Sequence, residues 1–386
     1  KSPRVSVVLN TCNRGAFIGD TLEGLKRQTY DNFEVVVVNG PSIDETEEVV
    51  KKFNIRYYTA PFNISVSRNV GIRHAAGEII AFIDDDAVPE AEWLEDIVKA
   101  YKDPKVAAAG GRVYNADGSD FQYSYGAIDT WGYPEARHDK AYDYNDPNGL
   151  WFNINIGTNA SYRREPLIEV GGFDEEIEYY HDESDVCVRL IRAGYKVAQL
   201  EDAYVHHKMA PSFRRKSSKR TVVWDAIVKN TIYYGIKHTK GVKPLRKRLV
   251  RPFWTEKSKL KSPFHLLRTG EFTFFETMAR FFSLIRAFWR GYYRGFLQPR
   301  KLIKNYEFEP EEFLAYKVPG ERPEKPLNIV LVNQGFPPEE TDGNARHNGA
   351  LAKELAAIGH NVFVVSRAKS GKHATIKFQW GAWVYR

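Results

Sequence analysis

The sequence predicts an α/β protein with a mostly parallel sheet, extended by a basic helical segment and a shorter second α/β stretch. Three observations carry this prediction. Short β-branched and aromatic runs alternate with helically spaced stretches over residues 1–211. Between residues 211 and 305 there are 24 Lys+Arg against 4 Asp+Glu, and strand signals stop. After an acidic, Pro-rich stretch at 306–326 the βα pattern returns over 327–386.

Residues 5–9 (VSVVL), 33–38 (FEVVVV), 55–58 (IRYY) and 79–83 (IIAFI) read as strands. Helices are expected at 16–28, 44–53 and 65–76 between them. Continuously apolar strands of this kind are buried on both faces, as in βαβ units. A helix in AEWLEDIVKAY and a strand at 106–113 follow; residues 114–150, aromatic and Gly-rich, read as a long loop. NINIGTNASYRRE restores order, Asp182-Glu183-Ser184-Asp185 opens a helix ending near Gly194, and a strand pair, KVAQL and AYVHH, closes the unit. VVWDAIVKNTIYYGIKH and the stretch from Phe264 to Leu297 carry helical spacing. Strands at 327–332 and 362–365 flank a helix at 344–358, about one and a half βαβ steps, which predicts a second module cut short. The domains are therefore expected at 1–211, 212–305 and 327–386, with 306–326 as a linker.

Composition excludes several classes. Hydrophobic residues at 43% and charged residues at 27% are ordinary globular values, so the chain is not disordered as a whole. Two cysteines, Cys12 and Cys187, exclude a disulfide framework and a cysteine-built zinc site and fit a reducing compartment. No run is long and apolar enough for a membrane span, and no secretion signal opens the chain, so a cytoplasmic location is expected; since the first residue is Lys1, the natural start is expected upstream. The net charge of +7 divides unevenly: +20 over 211–305 leaves −13 elsewhere, which predicts an anionic partner for the basic segment.

In open α/β sheets ligands sit at the carboxyl ends of the strands. Here these ends read Asn10-Thr11-Cys12-Asn13-Arg14, Asn39-Gly40-Pro41-Ser42 and Asp84-Asp85-Asp86. Three consecutive carboxylates at the end of a buried strand repel one another unless a cation neutralises them. Oxygen ligands suit Mg²⁺ or Mn²⁺; a solvated turn capping the next helix is the plainer reading. Asp182 and Glu183 stand at a helix start, where a carboxylate serves either as general base toward a hydroxyl or as a cap. Asp185 and Arg189 are spaced to pair along that helix. Of His206 and His207, strand alternation puts His207 on the face of Ala203 and Val205, and neutral imidazole accepts Mn²⁺.

Taken in order and spacing, SVVLNTCNR, VVVVNGPSIDET, VSRNVGIRHAAGEIIAFIDDDA, NIGTNASYRRE, VGGFDE, DESDVCVRLIRAGYKV and AYVHH resemble a family 2 glycosyltransferase of GT-A fold over about residues 3–210. The resemblance implies an inverting sugar transfer from a nucleotide-diphosphosugar, a UDP-sugar expected, assisted by Mn²⁺ or Mg²⁺. It implies that Thr11, Asn13, Arg14, Asn39, Arg68, Asn69, Asp84, Asp85, Thr158 and Asn159 line the donor pocket, with Arg68 facing the diphosphate. Asp86 and Asp84 would hold the metal with His207, His206 being the fallback, and Glu183 would be the base with Asp182 beside it. Two departures from the family pattern, Asn39-Gly40 for paired acids and Asp182-Glu183 for Glu-Asp, leave the donor open. The acceptor expected is a glycan or lipid-linked hydroxyl in cell-surface or exported glycan synthesis.

Tyr123, Tyr125, Trp131, Tyr133 and Trp151 offer stacking faces for sugars or simply pack over a sheet edge. For 212–305 two readings stay open: a surface for an anionic membrane, which makes the protein peripheral at the inner face, or packing on the catalytic domain. No nucleic-acid recognition module accompanies the basic charge. The segment LNIVLVNQGFPPEETDGNARHNGALAKELAAIGHNVFVVSR resembles the opening of a family 4 glycosyltransferase of GT-B fold. Against the leading reading stand a nucleotidyltransferase, whose Gly-rich loop ending in Lys has no counterpart at Asn10–Arg14, and a non-catalytic glycan-binding scaffold.

Overall fold

A computed structural model describes residues 2–211, 224–304, 307–308, 310–317, 323, 326–367 and 374–386. The beginning of the basic segment, 212–223, and most of 318–325 lie outside the described residues. The central sheet has seven strands, in the order Lys196–Gln199, Val106–Gly110, Asn159–Arg163, Ile79–Asp84, Val5–Thr11, Phe33–Asn39, Arg56–Thr59. Asn159–Arg163 runs antiparallel to both of its neighbours and the other pairings are parallel. Val5, Val7 and Leu9 enter one apolar core with the helix Gly15–Lys26; Val8, Val36 and Phe82 enter the other, on the opposite face. The strand runs lack alternation because both faces are covered. The polar strand ends of Val5–Thr11, Phe33–Asn39 and Ile79–Asp84 consequently share one edge.

A second sheet orders Ala87–Pro89, Val205–His207, Val113–Tyr114 and Phe121–Tyr123, and a third orders Pro134–Arg137, Tyr125–Asp129 and Trp151–Ile154. The expectation of a long loop over 114–150 is therefore corrected: three of these short strands lie within it. They show no alternation because Tyr125 and Ala127, on one strand face, and Ile128, on the other, are all fully buried. KVAQL and AYVHH are not a pair either. The first joins the central sheet and the second the Ala87–Pro89 sheet.

In the basic segment the helix Trp224–His238 packs on Phe274–Leu297, where Gly291 and Gly295 let Ile232 and Ile236 approach the backbone. Trp224–His238 also docks on the N-terminal domain. Lys229 Nζ donates to the carbonyl of Glu176 at 2.9 Å, and Tyr233 hydroxyl donates to Asp174 at 2.7 Å. The stretch read as a linker is a strap where it is described. Tyr316 is buried in the first core and its hydroxyl donates to the Leu22 carbonyl, while Leu314 N donates to Glu34 at 3.0 Å. Pro and Glu content marks a surface path, but one aromatic anchor fixes that path to the domain.

The C-terminal sheet orders Asn328–Asn333, Asn361–Ser366, Ala382–Tyr385 and Ile376–Gln379, the last two forming an antiparallel pair that periodicity alone does not reveal. The helix Gly343–Ala357 covers it through Ala352 and Ala356. It meets the N-terminal domain where Ile376 N donates to the Asp117 carbonyl at 2.7 Å and the Trp383 ring lies tilted against His206 with ring centroids 4.6 Å apart.

Candidate active site

The acidic turn follows from register. Asp84 ends its strand, Asp85 and Asp86 turn the chain, and Ala87–Pro89 pairs antiparallel with Val205–His207 so that His207 faces Ala87. Alternation then turns His207 toward the acids. Ligand atoms of Asp84, Asp86 and His207 lie within 4.8 Å of one another. His207 Nε2 is 3.2 Å from Asp86 Oδ1 and 3.8 Å from Asp84 Oδ2. Its Nδ1 lies 2.9 Å from the side-chain amide oxygen Oε1 of Gln122, which only accepts, so the proton belongs on Nδ1. Nε2 is then a buried lone pair with no hydrogen-bond partner, aimed at two carboxylates. A hard divalent cation is the group that satisfies such a set, and Gln122 orients the imidazole for it.

Neighbours tune this turn. Thr158 Oγ1 donates to Asp84 Oδ2 at 2.5 Å, and Ala210 N donates to Asp86 Oδ2 at 2.7 Å. Against the burial that opposes it, the His207 ring when it also carries a proton on Nε2, together with Arg14 and Ala210 N, holds Asp86 below the usual carboxylate range. Burial, with Asp86 and Asp84 nearby, pushes Asp85 up to about 7, although Arg14 and Thr11 oppose the rise. The Arg14 guanidinium lies 3.8 Å from Asp85 and 3.5 Å from Asp86.

The second acidic pair is built on a strained helix start. Tyr180 and His181, with φ of 65° and 73°, precede the helix Asp182–Arg192 in the left-handed region that side chains disfavour. Arg68 reaches across and binds Asp182 and, at 2.7 Å, Glu183 Oε1. Burial and the adjacent Glu183 carboxylate raise Asp182 well above the carboxylate range, while Arg68 lowers Glu183 against the opposing effect of burial. The two carboxyls are thus pushed in opposite directions, Asp182 toward its protonated form and Glu183 toward its ionised form. Gly157 stands at this pair, and a Cβ there would overlap Glu183 Oε1 and Arg68 Nη2. Because Gly157 touches Glu183 and the next residue, Thr158, bonds Asp84, one dipeptide joins the two acidic constellations.

Several expected site residues are placed differently. His206 faces away from the acids; its Nε2 is 2.9 Å from Glu90 and its ring stacks on Tyr114, because alternation sends it to the opposite side of its strand. Arg68 is engaged by Asp182 and Glu183. Asn69 is fully buried, with its amide bonded to the carbonyl of Phe173 and to Glu175 and its oxygen accepting from Phe173 N, so it fixes the GGFDE turn. Asn159 is fully buried too, bonded to Trp93 and to the carbonyls of Arg112 and Ala203. Asn39 donates to Tyr57 and accepts from Ser42, which occupies its amide. Among the aromatics, Tyr125 is buried and Tyr123 donates to the Ile154 carbonyl, whereas Tyr133 is exposed. Asn13 remains at the rim, with Oδ1 accepting from Ile43 N. Gln122 and Gly157 escaped the sequence reading. Gly157 was visible in the NIGTN run, but Gln122, in an irregular stretch, carried no signal.

Residues 6–171 match the model of the family described as "Glycosyl transferase family 2". The chain is similar to glycosyltransferase AglE of Haloferax volcanii, 33% identical over 219 residues that make up 54% of this chain and 68% of that protein. It is also similar to a glucosyl-dolichyl phosphate glucuronosyltransferase of the same organism, 28% identical over 53% of this chain and 69% of that protein. Among solved structures, a mannosyltransferase of Pyrobaculum calidifontis in complex with GDP-Man and Mn²⁺ is 18% identical at a TM-score of 0.46, covering 77% of this chain and 88% of that one.

Proposed function

The chain belongs to glycosyl transferase family 2 and is a glycosyltransferase, and from that premise we propose that it moves a sugar from a nucleotide-diphosphosugar, with UDP as the nucleotide, to an acceptor hydroxyl with inversion. The observation that carries this is the buried Nε2 of His207, unpartnered and aimed at Asp84 and Asp86. These three side chains would hold Mn²⁺ or Mg²⁺, which supplies positive charge for the oxygens of the leaving diphosphate. Thr158 and Ala210 N fix the two carboxylates, and Gln122 fixes the imidazole.

Glu183 is the base. Arg68 favours its ionised form and orients it, while burial and the adjacent Glu183 push Asp182 the other way, which makes Asp182 the poorer carboxylate of the two. The absence of a side chain at Gly157 lets Glu183 Oε1 and Arg68 Nη2 stand against its backbone. Inversion needs the acceptor oxygen, the anomeric carbon and the leaving oxygen in line. The base on one side of the Gly157-Thr158 dipeptide and the metal ligands on the other supply the two ends of such a line. Thr11, Asn13 and Arg14 are the remaining donor-pocket candidates from the first strand end.

The acceptor proposed is a hydroxyl of a cell-surface or exported glycan carried on a lipid, at the cytoplasmic side. The relative named for its action on glucosyl-dolichyl phosphate supports a lipid-linked acceptor, and free Cys12 and Cys187 support a reducing compartment. The C-terminal sheet is read as a GT-B type segment and is assigned no activity. Calorimetric titration with UDP, GDP, dTDP and CDP, each with Mn²⁺ and with EDTA, tests the donor site. Binding of UDP that needs Mn²⁺ and is lost in Asp86→Ala is expected. Absence of binding by all four nucleotides to the folded, Mn²⁺-loaded protein would overturn the reading.

A further inference from the structure

The helix Phe274–Leu297 is apolar on two opposite faces, and only one of them is covered. Leu284, Phe288, Gly291 and Gly295 face Trp224–His238. The other face presents Phe275, Phe282, Trp289, Tyr293 and Leu297, spaced four or seven apart and between 52% and 83% exposed. At about 1.5 Å per residue this stripe extends over roughly 33 Å. Arg286 and Arg290 lie exposed among these rings. The neighbouring helix Leu245–Glu256, joined through the Tyr292 hydroxyl donating to the Leu249 carbonyl, exposes Phe253 and Trp254 beside Arg251.

We propose that this face docks on the surface of an anionic lipid bilayer. Its chemistry selects that occupant. Aromatic rings with interleaved arginines suit the boundary between acyl chains and anionic headgroups, and the whole segment carries 24 Lys+Arg against 4 Asp+Glu. Among the described residues no helix is long and apolar enough to cross a membrane, so the helix lies on the bilayer. A second protein copy would meet the same excess of positive charge on its own face and be repelled. The structure thus divides the basic segment: Trp224–His238 is packed into the protein, and Leu245–Glu256 and Phe274–Leu297 offer the surface.

The inference deepens the proposed action on a lipid-linked glycan and rests on that reading for its purpose; binding is measured without turnover, so the two fail separately. Co-sedimentation of the 386-residue chain with vesicles of phosphatidylglycerol and phosphatidylcholine, and of phosphatidylcholine alone, is the test. Binding to the anionic vesicles only, weakened by high salt, is expected. Phe282→Ser with Trp289→Ser should reduce it about tenfold or more, and Arg286→Glu with Arg290→Glu should reduce it similarly at low salt, each charge near the surface counting for about fivefold. Asp86→Ala should bind vesicles as the parent does. Unchanged thermal unfolding of the surface variants certifies their fold. Equal binding to neutral vesicles, no binding to either, or self-association in solution that the same substitutions abolish would each overturn the proposal.

Discussion

The two acidic constellations and the basic helices solve opposite problems of burial. Around Asp86 and Glu183 the charges lie inside the protein, and each is matched by a specific partner: Arg14 and Ala210 N for Asp86, Arg68 for Glu183. On Phe274–Leu297 the charges face water and it is the aromatic rings that lack cover. A buried carboxylate without its cation is costly, as is a broad apolar face without a partner. The first points inward to a metal and a substrate, the second outward to a surface. Between them the two halves are locked by a buried network. Asp185 accepts from Arg189 at 2.8 Å, His238 at 2.7 Å and Arg300 at 2.5 Å, and Arg300 also reaches Asp174 at 3.1 Å. The helix that carries Glu183 is thus held by residues of the basic segment.

The largest effect that would break this comparison lies at Glu183. Glu183→Gln keeps the size and the Gly157 contact but removes the base, and kcat is expected to fall by about 10² to 10⁴, while Mn²⁺-dependent nucleotide binding stays near the parent value. A loss of nucleotide binding together with kcat would show that the residue organises the donor pocket instead.

Next comes the lock. Arg300→Met leaves two buried carboxylates short of a cation and is expected to cost about 3 to 5 kcal/mol in urea unfolding. A change below about 1 kcal/mol would mean that the basic segment is attached to the catalytic helix by apolar contact alone.

The smallest effect sharpens the picture through pH. Burial, with Lys259 nearby, pushes His181 down to about 3, and its Nε2 stays 3.0 Å from Thr231 Oγ1 on the helix Trp224–His238. The folded state therefore refuses a proton that the unfolded chain accepts below about 6.5. His181 contributes its full stability above pH 6.5 and loses it as pH falls toward 3, at about 1.4 kcal/mol per pH unit. Thermal unfolding followed from pH 7 to pH 4 should show a shallower decline in His181→Gln than in the parent. An identical slope would place the acid sensitivity elsewhere.

Much of the donor side was legible because it rests on local rules. Continuous apolar runs ending in Asn10–Arg14 and Asp84–Asp86 mark buried parallel strands and their carboxyl ends, and alternation alone separated His207 from His206. The i,i+4 spacing gave the Asp185–Arg189 pair. Residues whose chemistry depends on a distant partner were not legible. Asn69 and Asn159 look like ligand-facing amides until Phe173 and Trp93 are seen to occupy them. Gln122 gains its role only when a strand at Phe121–Tyr123 comes beside His207.

By itself the sequence determined that this is an α/β chain with an acidic strand end, an acidic helix start and a basic aromatic segment, because backbone periodicity and charge clustering are read within a few residues. Tertiary structure alone decided that Arg68 serves the acidic pair, that Tyr316 ties the supposed linker into the core, and which face of Phe274–Leu297 is left bare. Each of these depends on which side chains meet across some sixty to three hundred residues of chain, and burial sets the strength of those meetings by removing the water that would otherwise screen them.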